Sequence, residues 1–257
     1  MICALLLGRQ GSAGFPGKNL CPVLGRPLMA YPLMAARDAQ GVDRTYVSTD
    51  SVALASIGAH YGATVIDRPA HLAGPTALGD HAFAHGYEVI RDTIASEGAS
   101  LDLLVLLFAN AATITAATID EAITVMNTQP ELDSAVTVSC YNMWSPVRAR
   151  RIDANGLLQP FVPFEAFGDP ATLTCDRDSQ GDVWFADMGL SVVRPHCLER
   201  LEDGLLPQRW MGRRIHPIKQ WGGLDVDYEC QVPLVEHWLR AHGVDAAGED
   251  SYEWSNA

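Results

Sequence analysis

The sequence of 257 residues has little lysine, no long hydrophobic run and no closely spaced cysteine pair. It has two lysines, Lys18 and Lys219, against sixteen arginines, and its net charge is −13. Nonspecific nucleic-acid binding requires a basic surface, so we expect no nucleic-acid partner. No apolar stretch approaches the ~20 residues of a membrane-spanning helix, so we expect no membrane partner. The six cysteines form no C-x-x-C pair, which argues against a disulfide framework and favours reduced thiols in the cytoplasm.

The first half of the chain alternates short apolar runs with segments of helical periodicity. We predict strands at "ICALLLG", "DRTYVSTD", "ATVIDRP", "LDLLVLLFAN" and "SAVTVSCYN", with helices between them. Gly62 is expected to end the second helix, and Thr118 is the expected cap of the helix in "ATIDEAITVMNTQ". This order predicts an α/β fold with a mostly parallel sheet and helices on both faces. Ligands of such sheets bind beyond the carboxyl ends of the strands.

The composition changes from about residue 144 to residue 181, where proline, glycine, aspartate and arginine are frequent. We predict that this segment is an inserted β-rich arm with a hairpin around Asn155-Gly156. Its Arg148, Arg150 and Arg151 are expected to form a solvated face or to reach a neighbouring active site. We expect residues 1–243 to form a single domain and the acidic residues 244–257 to form a flexible tail.

A glycine-rich loop follows the first predicted strand, with Arg9 near its start and Lys18 at its end. Its glycines recur at every third position: Gly8, Gly11, Gly14 and Gly17. Backbone N–H groups in such a loop can form a nest for an anion. The spacing matches neither the dinucleotide fingerprint nor the P-loop. From spacing alone, therefore, the loop is either an anion-binding loop or a flexible connection with two incidental cations.

Several motifs, in order along the chain, resemble those of the acylneuraminate cytidylyltransferase (CMP-sialic acid synthetase) family. The loop "GRQGSAGFPGKNL" supplies Arg9, Ser12, Lys18 and Asn19 at the spacing of that family's signature. "GRPLMAYPLMAA", "VDRTYVSTD" and "YGATVIDRPAHLAG" follow in the family's order, and "WGGLDVDYECQ" resembles its glycine-apolar-Asp-apolar-Asp element. The resemblance covers about residues 1–240.

The resemblance implies a Rossmann-like nucleotidyltransferase fold and a homodimer in which the inserted arm reaches the partner subunit. It implies the transfer of CMP from CTP to a sugar acid, with release of pyrophosphate. By position, the nucleotide would be bound by Gly8, Arg9, Gly11, Ser12, Lys18, Asn19, Arg68 and Asp80. Asp225 and Asp227 would hold Mg²⁺, and the residues implied to be catalytic are Arg9, Lys18 and Asp225.

Asp225 and Asp227 also suit a metal on chemical grounds. In an extended segment, residues two apart point to the same side, and Mg²⁺ favours paired carboxylates together with substrate oxygens. The alternative is a solvated turn before the last helix, with Asp227 as its N-cap.

The chain departs from the family at the end of the central strand, in "LLFANAATIT". Phe108 stands where the family has glutamine, Ile114 stands where it has arginine, and Asn110 is the only strongly polar side chain of the stretch. The resemblance implies that these family residues lie near the substrate and the nucleotide, so two interpretations stay open: an acceptor other than sialic acid, or a different nucleotide choice.

The predicted substrate-binding residues are Asn110, Arg177, Gln180 and Asp187. Arg177 is the candidate for a substrate carboxylate, because a guanidinium matches that group bidentately. The alternative is an exposed arginine paired with Asp176 or Asp178.

The sequence thus predicts a Mg²⁺-dependent cytidylyltransferase whose partners are CTP and an anionic ulosonic acid. Two alternatives stay open. One is an enzyme of the same fold that uses another nucleotide or a non-sugar anionic acceptor. The other is a catalytically silent paralogue that binds nucleotides.

Overall fold

A computed structural model describes residues 1–11, 14–177 and 180–244. Its main sheet has seven strands, in the spatial order β11-β7-β10-β6-β1-β4-β5. The strands are β1 (Ile2–Leu7), β4 (Arg44–Thr49), β5 (Thr64–Asp67), β6 (Leu103–Phe108), β7 (Ser134–Cys140), β10 (Trp184–Val193) and β11 (Ile215–Gln220). Within this sheet β10 pairs antiparallel with both its neighbours, and the other pairs are parallel. The predicted fold, a mainly parallel sheet with helices, is confirmed.

The central strands are apolar throughout because both faces of the sheet are covered. Along β1, Ala4 and Leu6 pack into one core, whereas Cys3, Leu5 and Leu7 pack into the other. The alternation follows from the two-residue period of a strand. The buried strands place their carboxyl ends side by side at one edge of the sheet.

Helices cover both faces. The helices are α1 (Ala30–Asp38), α2 (Val52–His60), α3 (Gly79–Ser96), α4 (Ala116–Thr128), α5 (His196–Glu199) and α6 (Val232–Ala241). Buried residues of α1, α2 and α4 share the first core, and those of α3 and α5 share the second. A third core joins α6 to the short hairpin of β2 (Pro22–Val23) and β3 (Arg26–Pro27).

Local signals were right for one helix end and wrong for another. Gly62 has φ of 85° just after α2, as a C′ glycine requires. The N-cap of α4 is Thr115 and not Thr118: the Thr115 hydroxyl accepts a hydrogen bond from the Thr118 backbone N–H at 3.2 Å. Both threonines fit the pattern, and the strand-to-helix path decides between them.

The hairpin of the arm is where the sequence places it. Strands β8 (Arg150–Ile152) and β9 (Leu158–Pro160) pair antiparallel, and Gly156 in their turn has φ of 78°. Within the described part of the arm, β structure is limited to these two strands, and short 3₁₀ turns make up its other regular elements. The predicted flexible tail lies, from residue 245 on, outside the described residues.

Among the described residues, no helix combines the length and apolar character needed to cross a bilayer.

Candidate active site

A cavity of about 360 Å³ lies beyond the carboxyl ends of β1 and β6. One side is polar and carries both predicted loop cations, and the other side is apolar. The polar lining includes Arg9, Lys18, Asn19, Arg68, Asn110 and Asp227. The apolar lining includes Leu7, Leu72, Ala77, Leu78, Ala82 and Phe108. The structure therefore gathers residues from the loop, two strand ends and the late Asp225–Asp227 segment around one space.

The glycine loop contacts the acidic segment through its backbone. A Cβ on Gly14 would lie 2.8 Å from the backbone oxygen of Asp227, a distance that side chains do not tolerate. Gly17 has φ of 74°, a left-handed conformation that glycine adopts without strain. These two positions explain why glycine is needed there. Gly8 and Gly11 also line the cavity, and Ser12 lies outside the described residues.

Two arginines hold positive charge at the polar wall. Arg9 donates a hydrogen bond of 2.6 Å to the carbonyl of Gly74, which joins the glycine loop to the loop before α3. Arg68 is buried, and its guanidinium donates to the hydroxyl of Ser48 at 3.2 Å and to the Ser48 carbonyl. Burial lowers the pKa of Arg68 to about 10, so the side chain keeps its charge at neutral pH.

Lys18 lines the cavity and directly contacts Asp227, one of the two predicted metal ligands. Its ammonium lies 2.5 Å from Oδ1 of Asp227, and the Lys18 side chain is only 13% exposed. Asp227 does not cap the last helix, because the N-cap of α6 is Gln231 and the 3₁₀ turn before it begins after Tyr228. The backbone N–H of Asp227 donates to Gln231 Oε1 at 2.7 Å. The Asp227 carboxylate therefore lines the cavity as the ion-pair partner of Lys18 and not as a helix cap.

Asp225 is mostly buried beside Asp227. Burial raises the pKa of Asp225 above its ordinary value, and the charge of Asp227 raises it further, while Lys18 and Asn110 act in the opposite direction. Asn110 Nδ2 lies 3.4 Å from Asp225 Oδ2 and donates to the Val226 carbonyl at 3.1 Å. Two neighbouring carboxylates, one of them desolvated, fit a hard divalent cation, which would offset their repulsion.

Asn19 lines the cavity and has one acceptor atom without a partner among the described residues. Its Nδ2 donates to the carbonyl of Arg9 at 3.1 Å, which fixes the start of the loop. Its buried Oδ1 has no hydrogen-bond partner within the described part of the chain. A buried oxygen without a partner is costly unless a ligand supplies the donor.

Asp80 and Asp187 do not line the cavity. Asp80 is buried, and its carboxylate accepts a hydrogen bond of 3.1 Å from the backbone N–H of Trp210. In this structure the Asp80 carboxylate joins α3 to the Trp210 segment, and its contact with a nucleotide stays a prediction.

Asp187 lies in a bulge of β10 and is connected by hydrogen bonds, through Ser139, to the segment that leads to Asp225. The register of β10 against β7 shifts between Ala186 and Ser191. The Asp187 carboxylate accepts hydrogen bonds from Ser139 Oγ at 2.7 Å and from Gln220 Nε2 at 2.8 Å. Ser139 Oγ in turn accepts from the backbone N–H of Gly223 at 3.0 Å. Asp187 is therefore placed to position the segment that carries Asp225, rather than to contact a substrate directly.

Arg177 and Gln180 lie on the arm and not in the cavity lining. Both take part in interactions within the protein, so neither is an idle side chain. A contact between these residues and a substrate stays a prediction.

Phe108 and Ile114, which replace the family's glutamine and arginine, lie in different surroundings. Ile114 is 4% exposed and belongs to the first core, so that position contributes nothing to the cavity. Phe108 lines the cavity and packs edge-on against Phe83 (5.1 Å between ring centroids) and beside Trp210 (5.9 Å). The sequence places Phe108 at a strand end but gives no signal for this aromatic cluster.

Residues 3–139, more than half of the chain, match the cytidylyltransferase family. Relatives include the N-acylneuraminate cytidylyltransferase of Escherichia coli O18:K1:H7, 32% identical over 91 residues, or 35% of this chain and 22% of that protein. The CMP-N,N'-diacetyllegionaminic acid synthase of Legionella pneumophila is 39% identical over 64 residues, or 25% of this chain and 28% of that protein. The matched segments thus span less than a third of these relatives' own lengths.

Solved structures show the same fold over nearly the whole chain. A CMP:2-keto-3-deoxy-manno-octonic acid synthetase complexed with CTP has a TM-score of 0.62 at 15% identity, covering 94% of this chain and 99% of its own. A 4-diphosphocytidyl-2C-methyl-D-erythritol synthase has a TM-score of 0.63 at 12% identity, covering 93% and 98%. At these identities the likeness concerns the fold, and the sequence match carries the assignment: the chain belongs to the cytidylyltransferase family.

Proposed function

We propose that the protein transfers CMP from CTP to an acidic sugar, a nonulosonic or related ulosonic acid, and releases pyrophosphate. The observation that carries the proposal is that Arg9, Lys18 and Asp227 line one cavity. Asp225 lies next to them, 3.4 Å from Asn110, which also lines the cavity. Cations on one side and carboxylates on the other suit a triphosphate that is bound together with a metal ion. The names of the sequence relatives, which include acylneuraminate and octulosonate cytidylyltransferases, support the substrate class.

In this proposal the loop residues bind and orient the triphosphate. Arg9, Lys18 and the backbone N–H groups of the glycine loop neutralise its charge. The acceptor hydroxyl attacks the α-phosphorus, the bond to the bridging oxygen of the β-phosphate breaks, and the hydroxyl proton is released. The loop cations stabilise the departing pyrophosphate.

Asp225 and Asp227 would hold Mg²⁺, with Asn110 orienting Asp225. When bound, Mg²⁺ would lower the pKa of an oxygen that it binds and offset charge at the α-phosphate. The chain's own contribution is to keep Asp225 desolvated and paired with Asp227, so that the carboxylates bind the ion strongly.

The apolar wall of the cavity suits a ligand group with a flat or apolar surface, either the cytosine base or a part of the acceptor. Phe108, Leu72, Ala77 and Leu78 offer no hydrogen-bonding side chain there.

A pyrophosphate-release assay tests the activity. The protein is incubated with Mg²⁺, one of the four nucleoside triphosphates and a panel of ulosonic acids, with N-acetylneuraminic acid included. Of the four nucleoside triphosphates, we expect only CTP to support turnover with an acceptor. Turnover with another triphosphate would show a different nucleotide specificity, and nucleotide binding without turnover on any acceptor would indicate a silent paralogue.

The proposal includes a cytoplasmic homodimer assembled through the arm. Six large apolar side chains on or beside the arm are at least 60% exposed: Met143, Trp144, Ile152, Leu157, Leu158 and Phe161. An apolar surface of this kind favours a protein partner, and a second copy is the partner that the family resemblance implies. All six cysteines are free, which suits a reducing compartment.

Light scattering after gel filtration tests the dimer. We expect about twice the 27.8 kDa of one chain, and a shift toward the monomer in Ile152→Asp. Leu234→Asp, at an exposed apolar position on α6, should remain dimeric. A monomeric wild-type protein would contradict the dimer.

A further inference from the structure

A second cavity, of about 240 Å³, lies at the opposite edge of the sheet from the candidate active site. Asp133 precedes β7, and His196 follows the end of the antiparallel β10. Both positions are therefore at the amino ends of the parallel strands. The cavity is lined mainly by ionisable side chains: Asp133, His196, Arg200, Asp203, Arg209 and Arg213.

The acidic groups of this cavity are already engaged. Asp133 Oδ2 accepts hydrogen bonds from the backbone N–H groups of Arg213 and Arg214 at 2.8 and 2.9 Å. Asp133 Oδ1 lies 3.0 Å from His196 Nε2. Asp203 is exposed and pairs with Arg200 at 3.7 Å.

The basic groups keep unused hydrogen-bonding capacity. Arg213 donates through Nε to the carbonyl of Asp203 at 2.6 Å, and its terminal nitrogens make no further bond among those described. Arg209 has no side-chain hydrogen bond or ion pair to any residue that the structure describes. Three guanidinium groups against two engaged carboxylates make this cavity locally positive on a protein whose net charge is −13.

A metal ion fits this cavity less well than an anion. The ligand atoms of Asp133, His196 and Cys197 lie within 4.8 Å of one another. However, burial, together with the Asp133 charge, raises the pKa of the Cys197 thiol to about 12, and the thiol is directed at the Asp133 carbonyl. A cation would also have to bind beside three arginines.

The segment that carries Arg209 also reaches the candidate active site. Its neighbour Trp210 donates its backbone N–H to Asp80 and packs its ring beside Phe108 and against Phe83. Phe108 lines the first cavity. A ligand that binds Arg209 therefore contacts a short 3₁₀ turn, Arg209–Met211, whose Trp210 packs beside Phe108 in the wall of the first cavity.

We propose that the cavity between Arg200, Arg209 and Arg213 binds a phosphate-class oxyanion and that its occupancy changes nucleotide affinity through Trp210. Three arginines lining one cavity suit a polyvalent tetrahedral anion better than a single carboxylate.

Isothermal titration calorimetry with inorganic phosphate tests the site, and it needs no nucleotide. We expect phosphate to bind Lys18→Ala, in which the first cavity has lost its lysine. Adding Arg209→Gln to that variant should weaken binding by about tenfold or more, as expected for loss of a charged hydrogen bond. Arg214→Gln is the matched control, because Arg214 is adjacent but does not line the cavity.

The outcomes separate the possibilities. Phosphate binding that Arg209→Gln leaves unchanged, equal binding of acetate, or tight binding of Zn²⁺ in place of phosphate would each overturn the anion site. The coupling is tested by the CTP dissociation constant with and without saturating phosphate. Phosphate should shift it in the wild type and less in Arg209→Gln, and equal shifts would overturn the coupling. The proposed function can fail while the phosphate site stands, because the first titration contains no CTP.

Discussion

At the scale of single residues, the contact between Lys18 and Asp227 brings together two groups that are 209 positions apart in the chain. The Asp227 side chain is 56% exposed, so the direct contribution of this ion pair to stability is small. Its importance is in placing a cation and a carboxylate at the same cavity. A triphosphate and a metal ion would each take one member of this pair as a partner.

Replacing Lys18 with alanine should abolish turnover and leave the fold intact. The ammonium neutralises phosphate charge, and the loss of such a charged contact in a closed site costs at least about 2.7 kcal/mol, or a hundredfold in rate. Pyrophosphate release measures the effect, and circular dichroism measures the fold. Lys219→Ala is the matched control, because Lys219 lies over the ring of Trp184 and not in the cavity. Full activity of Lys18→Ala would refute the role of the loop.

At the scale of elements, two glycines allow helices to lie close on the sheet. A Cβ on Gly58 in α2 would lie 2.4 Å from a Val47 methyl, and one on Gly86 in α3 would lie 2.5 Å from a Leu5 methyl. Both neighbours are fully buried. The close approach of α3 keeps Gly79 and Ala82 at the wall of the first cavity.

Gly86→Ala should therefore destabilise the protein by about 1–3 kcal/mol through overpacking. Helix propensity alone would favour alanine by up to ~1 kcal/mol, so a loss of stability shows that packing dominates. Urea unfolding followed by circular dichroism measures the difference. Gly74→Ala is the comparison, since nothing lies within 4 Å of its added Cβ; equal stability of the two variants would contradict this account of α3.

The bulge of β10 is a second element with a defined task. Asp187 holds Ser139 and Gln220, and Ser139 holds Gly223 in the segment before Asp225. If Asp187 is a positioning residue, Asp187→Ala should lower stability by about 1–3 kcal/mol, because buried donors lose their acceptor. It should also raise the Mg²⁺ concentration needed for half-maximal turnover.

Urea unfolding and a Mg²⁺ titration of pyrophosphate release measure these two effects. Asp182→Ala, at an exposed position bonded to Asn142, is the control. A variant of normal stability whose sugar KM alone rises would instead favour the direct substrate contact that the sequence predicted.

At the scale of the whole molecule, Asp133 joins the start of β7 to two distant segments through hydrogen bonds. One segment carries His196 after β10, and the other is the Arg213–Arg214 backbone before β11. Burial acts to raise the pKa of the Asp133 carboxyl, but hydrogen bonds from the Arg214 and Arg213 backbones and from His196 prevail and hold this pKa below its ordinary value. A lowered carboxyl pKa adds stability that is fully present above the ordinary value near 3.8. That contribution is lost as pH falls through the lowered native pKa.

Asp133→Ala should accordingly lower the free energy of unfolding at pH 7 by about 1.5–3 kcal/mol. The difference from the wild type should shrink as the pH falls below about 4, because the Asp133 carboxyl of the unfolded chain takes up a proton there, whereas the native carboxylate stays ionised until its lowered pKa is reached. Urea unfolding at pH 7 and pH 3.5 checks the sign. A difference that grows at acid pH would contradict the assigned pKa direction. Asp38→Ala, at an exposed carboxylate on α1 that pairs with its neighbour Arg37, should show little effect at either pH.

The sequence by itself determined the strands, most of the helices and the glycine loop. These features depend on local patterns: two-residue and 3.6-residue periodicity, apolar runs that end in glycine, and turn residues such as Asn155-Gly156. Residue types and spacing made the loop cations and the Asp225–Asp227 pair candidates for binding, but they left alternatives open, and the specific roles were implied only by the family resemblance. The cap of α4 was misplaced by one turn because Thr115 and Thr118 carry the same local signal.

Only the tertiary structure decided which of these groups meet and which serve the fold. Asp80 and Asp187 resemble site residues in the sequence, yet each carboxylate has partners within the protein. Asp80 accepts a hydrogen bond from the Trp210 backbone, and Asp187 accepts hydrogen bonds from Ser139 and Gln220. Phe108 became a cavity wall, and Ile114, six positions later, became core. The reason is physical: hydrogen-bond partners and burial are set by strand order and helix packing between distant segments, and no local pattern in the chain encodes them.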